Sequence, residues 1–347
     1  MTRPSAYDVA PGDWARVLRG WGEQPFRAGQ LVKWLYGGAA SFDAMTNLPS
    51  PLRRRLAESY ADLDATARLE ERGRADVGTS KLLLRLADGE CVESVVIPAR
   101  DRATVCVSCQ VGCAFGCAFC ASGAMGFTRN LTRGEIVAQA LRAAESIGRR
   151  PDNVVFMGIG EPFLNYDATL AAARRMNDPA PDGLGIGARR ITVSTCGVVP
   201  GIERFAGEGR QFELSVSLHA PTDEQRAALM PVDRKWPLGV LVPACRAYTE
   251  RTGRIVTFEY TLVAGFNDRP EDARALLALL KPFPSRVNLI PLNPVKEFSG
   301  RTPSAAACEA FRAALERGGL NATLRRSKGR GVNASCGQLR RARITAP

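Results

Sequence analysis

A long alternation of apolar strands and helical stretches limits the fold more than any other feature. Strand-like apolar runs lie near residues 103–108, 154–158, 191–195, 213–218, 256–262, 286–290 and 322–326. Helical patterns fill most of the gaps, among them Gly134 to Glu145, Glu271 to Leu280 and Ala305 to Arg317. Strands separated by helices of ten or more residues form βαβ units around a parallel sheet. Six or seven such units make an open sheet or a partial barrel. No repeat of solenoid type interrupts the pattern.

The first third reads differently. Residues 10–65 look helical and basic. The run from Pro25 to Tyr36 places Phe26, Leu31, Trp34 and Leu35 near one face, and Gly37-Gly38 stops it. A second helix is expected from Ser50, as N-cap, with Pro51 at the first helical position and Arg53 to Arg55 as a basic cluster. Two strands, Ser80 to Leu86 and Cys91 to Ile97, flank Asp88-Gly89, a hairpin signal. A length of 347 residues suits one large domain and a smaller one. The expected division is 1–70, helical; 71–100, a hairpin linker; and 101–347, the α/β core.

Composition is that of a globular chain, 45% hydrophobic and 24% charged. No apolar run is long enough to span a bilayer, and the first residues carry no apolar export segment. A cytoplasmic, non-membrane protein is expected. Its ten cysteines then point to reduced thiols, metal binding or catalysis rather than a disulfide framework. The net charge of +12 suggests a polyanionic partner, most simply nucleic acid. The one histidine, His219, excludes His-rich zinc sites and two-histidine mechanisms.

Five cysteines fall within fifteen residues, in Cys106-Val-Ser-Cys109-Gln-Val-Gly-Cys113-Ala-Phe-Gly-Cys117-Ala-Phe-Cys120. The last three read C-x3-C-x2-C. Thiolates are soft ligands for zinc, copper(I) or iron–sulfur clusters. A closed zinc site or an ordinary cluster takes four ligands. Three close-set cysteines can instead hold three irons of a [4Fe-4S] cluster and leave the fourth open to a substrate. A zinc loop with a stray thiol is the plainer alternative.

C-x3-C-x2-C with Phe119 before the last cysteine resembles the radical S-adenosylmethionine (SAM) superfamily. The flanking Cys106-Val-Ser-Cys-Gln-Val-Gly-Cys and Gly126-Phe-Thr-Arg-Asn-Leu-Thr narrow the resemblance to the RlmN/Cfr family of RNA adenine methyltransferases. It implies a partial (β/α)6 barrel preceded by a small RNA-contacting helical domain. It implies one [4Fe-4S] cluster on Cys113, Cys117 and Cys120. In such barrels functional residues sit at the C-terminal strand ends. There the resemblance implies SAM contacts at Gly160 and Glu161 of a Gly-Glu-Pro loop, at Ser194, at Ser217, Leu218 and His219, and at Asn293. Without their neighbours, Ser194, Ser217 and Asn293 would read as turns or caps, and His219 as a core histidine.

Three further residues complete the implied site. Glu93, in Val92-Glu-Ser-Val-Val-Ile-Pro98, matches a proton acceptor, although an isolated strand glutamate usually faces solvent. Cys336, amid Arg325, Arg326, Lys328, Arg330, Arg340, Arg341 and Arg343, matches a cysteine that is itself methylated. Cys106 matches the thiol that releases the product and leaves a disulfide. The implied reaction consumes two SAM per methyl, one to methylate Cys336 and one to open a radical route to adenine. Carbon 2 of adenine is electron-poor and has no lone pair, so polar displacement fails there. Gln110-Val-Gly-Cys and the basic N-terminal helices favour carbon 2 over the carbon-8 chemistry of Cfr. The implied partners are 23S ribosomal RNA, transfer RNA as a second substrate, and an electron donor such as flavodoxin or ferredoxin, with the enzyme a monomer. The sequence departs from the family in Cys109, usually serine, and in lacking acidic residues just before Cys336. Two readings from other classes stand beside this one: a radical SAM activase of proteins, and a non-catalytic iron–sulfur or zinc RNA-binding protein.

Overall fold

A computed structural model describes residues 3–74, 78–295 and 298–325. Cys336 and most of its surrounding cations lie outside the described residues. The chain opens with α1 (Pro11–Arg19), α2 (Phe26–Tyr36) and α3 (Ser50–Ser59). Their inner faces bury Trp14, Leu18, Leu31, Leu35, Leu52 and Leu56. Two local expectations shift. Phe26 is 58% exposed rather than sharing the buried face, because it begins its helix at the outer edge. Ser50 is already helical, after Pro49, and its side chain caps nothing.

Strands β1 (Arg68–Arg74), β2 (Ser80–Arg85), β3 (Cys91–Ala99) and β4 (Arg102–Cys106) then pair antiparallel in sequence. The β2–β3 turn closes through Gly89 N–H to Leu86 O, 3.0 Å. A short hairpin, β5 (Gln110–Gly112) with β6 (Phe127–Asn130), follows and pairs only with itself. From there helices and strands alternate: α4 (Arg133–Ile147), β7 (Asn153–Phe156), α5 (Tyr166–Asn177), β8 (Ile191–Thr195), α6 (Val199–Phe205) and β9 (Glu213–Ser217). After β9 come α7 (Asp223–Leu229), α8 (Leu238–Thr252), β10 (Val256–Leu262), α9 (Pro270–Leu280), β11 (Ser285–Pro291), α10 (Ala305–Arg317) and β12 (Asn321–Leu324).

One ten-stranded sheet runs β1-β2-β3-β4-β7-β8-β9-β10-β11-β12. From β4 to β12 every neighbouring pair is parallel and in chain order. Six helical crossovers join those seven strands. This is the succession of a partial (β/α)6 barrel, whereas a doubly wound sheet reverses its strand order. The β1–β3 strands extend the same sheet at its β4 edge. Parallel strands covered by helices must be apolar, and Val154, Phe156, Val193, Leu214, Val216, Phe258 and Leu289 are sealed.

Helix α4 ties the N-terminal helices to the barrel. Thr132 accepts from Glu135 N–H (3.2 Å), and the Glu135 carboxylate accepts from Thr132 N–H (2.9 Å), a capping box. Residues Gly134 to Ala143 are buried on every side, so something must cover the face turned from the sheet. The N-terminal segment does: Gly134 N–H donates to Asp8 (2.7 Å), and Arg133 to Tyr7 O (3.2 Å). Among the described residues no helix is long and apolar enough to cross a membrane.

Candidate active site

The cysteine loop hangs from the β5–β6 hairpin. Gly112 permits this: its φ is +80°, and a Cβ there would stand 1.8 Å from Gly126 O. Cys113 N–H donates to that same oxygen, 2.8 Å. Farther along, Ala118 N–H donates to Leu229 O of α7 (2.9 Å), and Cys120 N–H to Cys117 O (3.1 Å). The loop is therefore held over the strand ends from both sides. Gln110 joins it to the Gly-Glu-Pro loop after β7, donating to Asn130 (2.8 Å) and accepting Glu161 N–H (2.8 Å). Gly160, at φ +104°, lies against Gln110, where a Cβ would clash at 2.5 Å.

A cavity of about 340 Å³ lies between the loop and the strand ends. Cys113, Cys117 and Cys120 form one wall, and Gly160, Ser194, Ser217 and His219 line the others. Seven of the residues proposed for metal and cofactor thus meet in one space. The remainder divide. Leu218 is buried behind the wall, its N–H bonded to Glu259 O (3.0 Å). Asn293, half-buried beyond the end of β11, is not part of the lining. Glu161 is sealed, and its carboxylate accepts from Phe163 N–H (3.0 Å) and Cys196 N–H (2.8 Å). The side chain is a clamp on two loops, so an ammonium in the cavity would meet the loop backbone at Gly158 and Gly160 instead.

His219 has φ +58°. Its Nδ1 accepts Thr261 N–H (2.9 Å), so the neutral ring carries its proton on Nε2. Burial, with the Arg226 charge adding to it, lowers its pKa to about 3. Phe119 of the cysteine loop meets this ring edge-on at 4.7 Å. Burial raises the Cys113 thiol to about 11 and pushes Cys117 still higher. Thiols must lose protons to bind metal, so cluster uptake releases protons here.

Glu93 does not face solvent. It is 2% exposed and pairs with the equally sealed Lys81 at 3.1 Å. Ser94 donates to Gln139 of α4 (3.1 Å), which puts Ser94 on the helix-covered face and Glu93 on the opposite, interior one. Cys106, in register with Val95, shares the Glu93 face. Ser108 Oγ donates to Glu93 O (2.7 Å) and accepts Ile159 N–H (2.9 Å), linking this strand to the Gly-Glu-Pro loop. Cys109 points elsewhere, its thiol 3.7 Å from Ile159 O and outside the cavity lining.

The description "Ribosomal RNA large subunit methyltransferase N-terminal domain" matches residues 11–61, and "Radical SAM superfamily" matches 107–277. A probable dual-specificity RNA methyltransferase RlmN of Pelotomaculum thermopropionicum is 49% identical over 98% of this chain and 92% of its own length. The chain belongs to the RlmN family. A second RlmN relative, from Moorella thermoacetica, is 50% identical over 92% of each chain. A crystal structure of a radical SAM methyltransferase from Sphaerobacter thermophilus superposes with TM-score 0.92 at 45% identity, covering 96% of this chain and 98% of that one.

Membership in the RlmN family and its radical SAM superfamily brings one [4Fe-4S] cluster and SAM, two molecules per methyl, as cofactors. The residues fit them. The donor set is three soft thiols on one cavity wall. Two residues lining the same cavity, Ser122 and Glu259, each carry a buried polar atom, Ser122 Oγ and Glu259 Oε2, with no hydrogen-bond partner among the described residues. Among the described residues no trio of His, Cys, Asp or Glu is gathered for a single ion. Ligands of a cluster bind different irons and stand farther apart than ligands of one ion. Sequence reasoning missed Glu259 and Ser122. A glutamate inside the apolar strand Val256–Leu262 was the available signal for the first; nothing marked the second.

Proposed function

We propose that this chain methylates carbon 2 of an adenine in 23S ribosomal RNA, with transfer RNA as a second substrate. The carrying observation is that the three cysteines and the strand-end residues Gly160, Ser194, Ser217 and His219 line one cavity, in a chain of the RlmN family. When bound, the cluster and SAM supply one-electron chemistry that an electron-poor carbon requires. Cys113, Cys117 and Cys120 hold the cluster. The backbone of the Gly160-Glu161 loop takes the SAM ammonium, with Glu161 bracing it. Ser194, Ser217, Leu218, His219 and Asn293 form the rest of the SAM site. His219, neutral with its proton on Nε2, is a donor and never a cation there.

The chain's own work on the methyl falls to three residues. Cys336 carries the methyl and bonds it to the base. Glu93 accepts the proton leaving the methylated carbon. Cys106, on the same sheet face as Glu93, attacks the Cys336 sulfur and frees the product, leaving a disulfide between the two. An electron donor of the flavodoxin or ferredoxin class restores both thiols and cluster. Residues 1–70 contact RNA, residues 71–100 brace the barrel of 101–347, and the enzyme works as a monomer in the cytoplasm. Mass spectrometry of ribosomal RNA adenines after reaction with methyl-labelled SAM tests the reading: label at carbon 2 is expected, and label at carbon 8 or none at all overturns it. Cys106→Ala is expected to accumulate an RNase-sensitive covalent adduct and Cys336→Ala none.

A further inference from the structure

We propose that Glu259 is a binding residue of the cavity, its inward oxygen Oε2 accepting a hydroxyl of the SAM ribose. This rests on the SAM reading above and adds a residue that no motif of the sequence assigned. The side chain is 7% exposed and lies on β10, facing the cavity. Its other oxygen, Oε1, is occupied by neighbours on both adjoining strands: Ser215 Oγ at 2.9 Å on β9 and Asn288 Nδ2 at 3.0 Å on β11. Those two contacts lock the carboxylate plane. Among the described residues, Oε2 is left buried with no hydrogen-bond donor. Among the same residues, Arg325 Nη1 forms a loose ion pair with it at 4.0 Å, beyond hydrogen-bond reach. A sealed carboxylate oxygen without a donor is costly, and such groups in native proteins have a reason. The missing donor is supplied by what fills the cavity.

SAM offers an ammonium, an adenine amine and two ribose hydroxyls. The ammonium is excluded by position. Strand β10 lies three ladder steps from β7, about 14 Å along the sheet, and the loop after β7 is the ammonium's place. The adenine amine only donates. A hydroxyl donates and accepts, which matches this corner: Oε2 accepts, while the Ser217 hydroxyl, in register with Glu259, and the Arg325 guanidinium can donate. Arg325 also offsets the carboxylate charge, which suits a neutral group better than a second cation.

Calorimetric titration of the anaerobically reconstituted protein with S-adenosylhomocysteine tests this without turnover. The ligand is compared with its 2′-deoxy and 3′-deoxy forms and with the form lacking the purine amine. The wild-type protein is expected to lose roughly tenfold to a hundredfold in affinity for at least one deoxy form, as for a hydrogen bond to a charged group. Glu259→Leu removes the acceptor and turns neither a donor nor an acceptor toward the ligand. It should bind S-adenosylhomocysteine with the same loss and no longer distinguish the deoxy form. Wild-type indifference to both deoxy forms overturns the proposal even if the variant proves unstable. So does a variant that still discriminates, or one that loses discrimination only against the amine-lacking form. If the wild-type protein binds no S-adenosylhomocysteine, the SAM site itself is wrong; if it binds but ignores the hydroxyls, only the role of Glu259 falls.

Discussion

Cys109 and Cys113 stand four residues apart and are set to different uses. The Cys109 thiol is spent on Ile159 O, and burial pushes its pKa well up. Cys113 faces the cavity with Cys117 and Cys120. Alanine at any of those three should abolish retention of iron and sulfide after anaerobic reconstitution, while Cys109→Ala keeps both. Iron and sulfide assays check this, and cluster loss from Cys109→Ala would refute the ligand assignment. His219 gives a second residue-level prediction. Its folded pKa of about 3 lies below the ordinary value of 6.5. Between those values the unfolded chain binds the extra proton, so stability rises with pH there and is lost as pH falls from 6.5 toward 3. Because the chain has a single histidine, its imidazole NMR signals need no assignment. In the cluster-free protein they should not shift between pH 5 and 8; a titration near 6.5 would show an exposed ring.

At the scale of elements, the β2–β3 hairpin matters most. Its strands and turn were legible from Asp88-Gly89 and flanking apolar runs. The ion pair it carries was not, because alternation along a strand says which residues share a face but not which face is inside. Lys81 pairs with Val95 in register, so Glu93 is its diagonal neighbour on the same face. Lys81→Met should cost about 3–5 kcal/mol, the usual loss when one partner of a buried pair is removed. Adding Glu93→Leu should recover most of that stability yet leave the enzyme inactive, since Glu93 is the proposed proton acceptor. Urea denaturation of the single and double variants reads the first effect and RNA methylation the second; a double variant no more stable than Lys81→Met would mean the pair is not the source of the loss.

For the whole molecule, a net charge of +12 bears on how it holds RNA. The arginines of α3 are not all equally available. Arg53, half-buried, donates to Asp43 O (2.6 Å); Arg54 and Arg55 are exposed, with Arg55 lying over Trp21 at 4.7 Å. All three still carry charge toward a polyanion. Log affinity for the RNA substrate should fall linearly with log salt, by roughly 0.7–0.9 per phosphate neutralised. Replacing Arg53, Arg54 and Arg55 by glutamine should lower affinity and flatten that slope by no more than about three such units. Filter binding across a salt series measures it, and an unchanged slope would move the RNA surface away from α3.

The sequence by itself determined the succession of strands and helices, the three close-set cysteines and the strand ends that surround the cavity, because each is a local pattern: a periodicity, a spacing, a residue after a strand. Tertiary structure decided what depends on neighbours distant in the chain. It turned the Glu161 carboxylate onto two backbone amides, left the loop backbone to the cavity, paired Glu93 with Lys81 inside the barrel, and exposed Phe26. It also brought Glu259 to the cavity with one oxygen held by Ser215 and Asn288 and the other unmet. Whether a polar atom is satisfied depends on the donors of strands more than twenty residues away, and no local pattern carries that information.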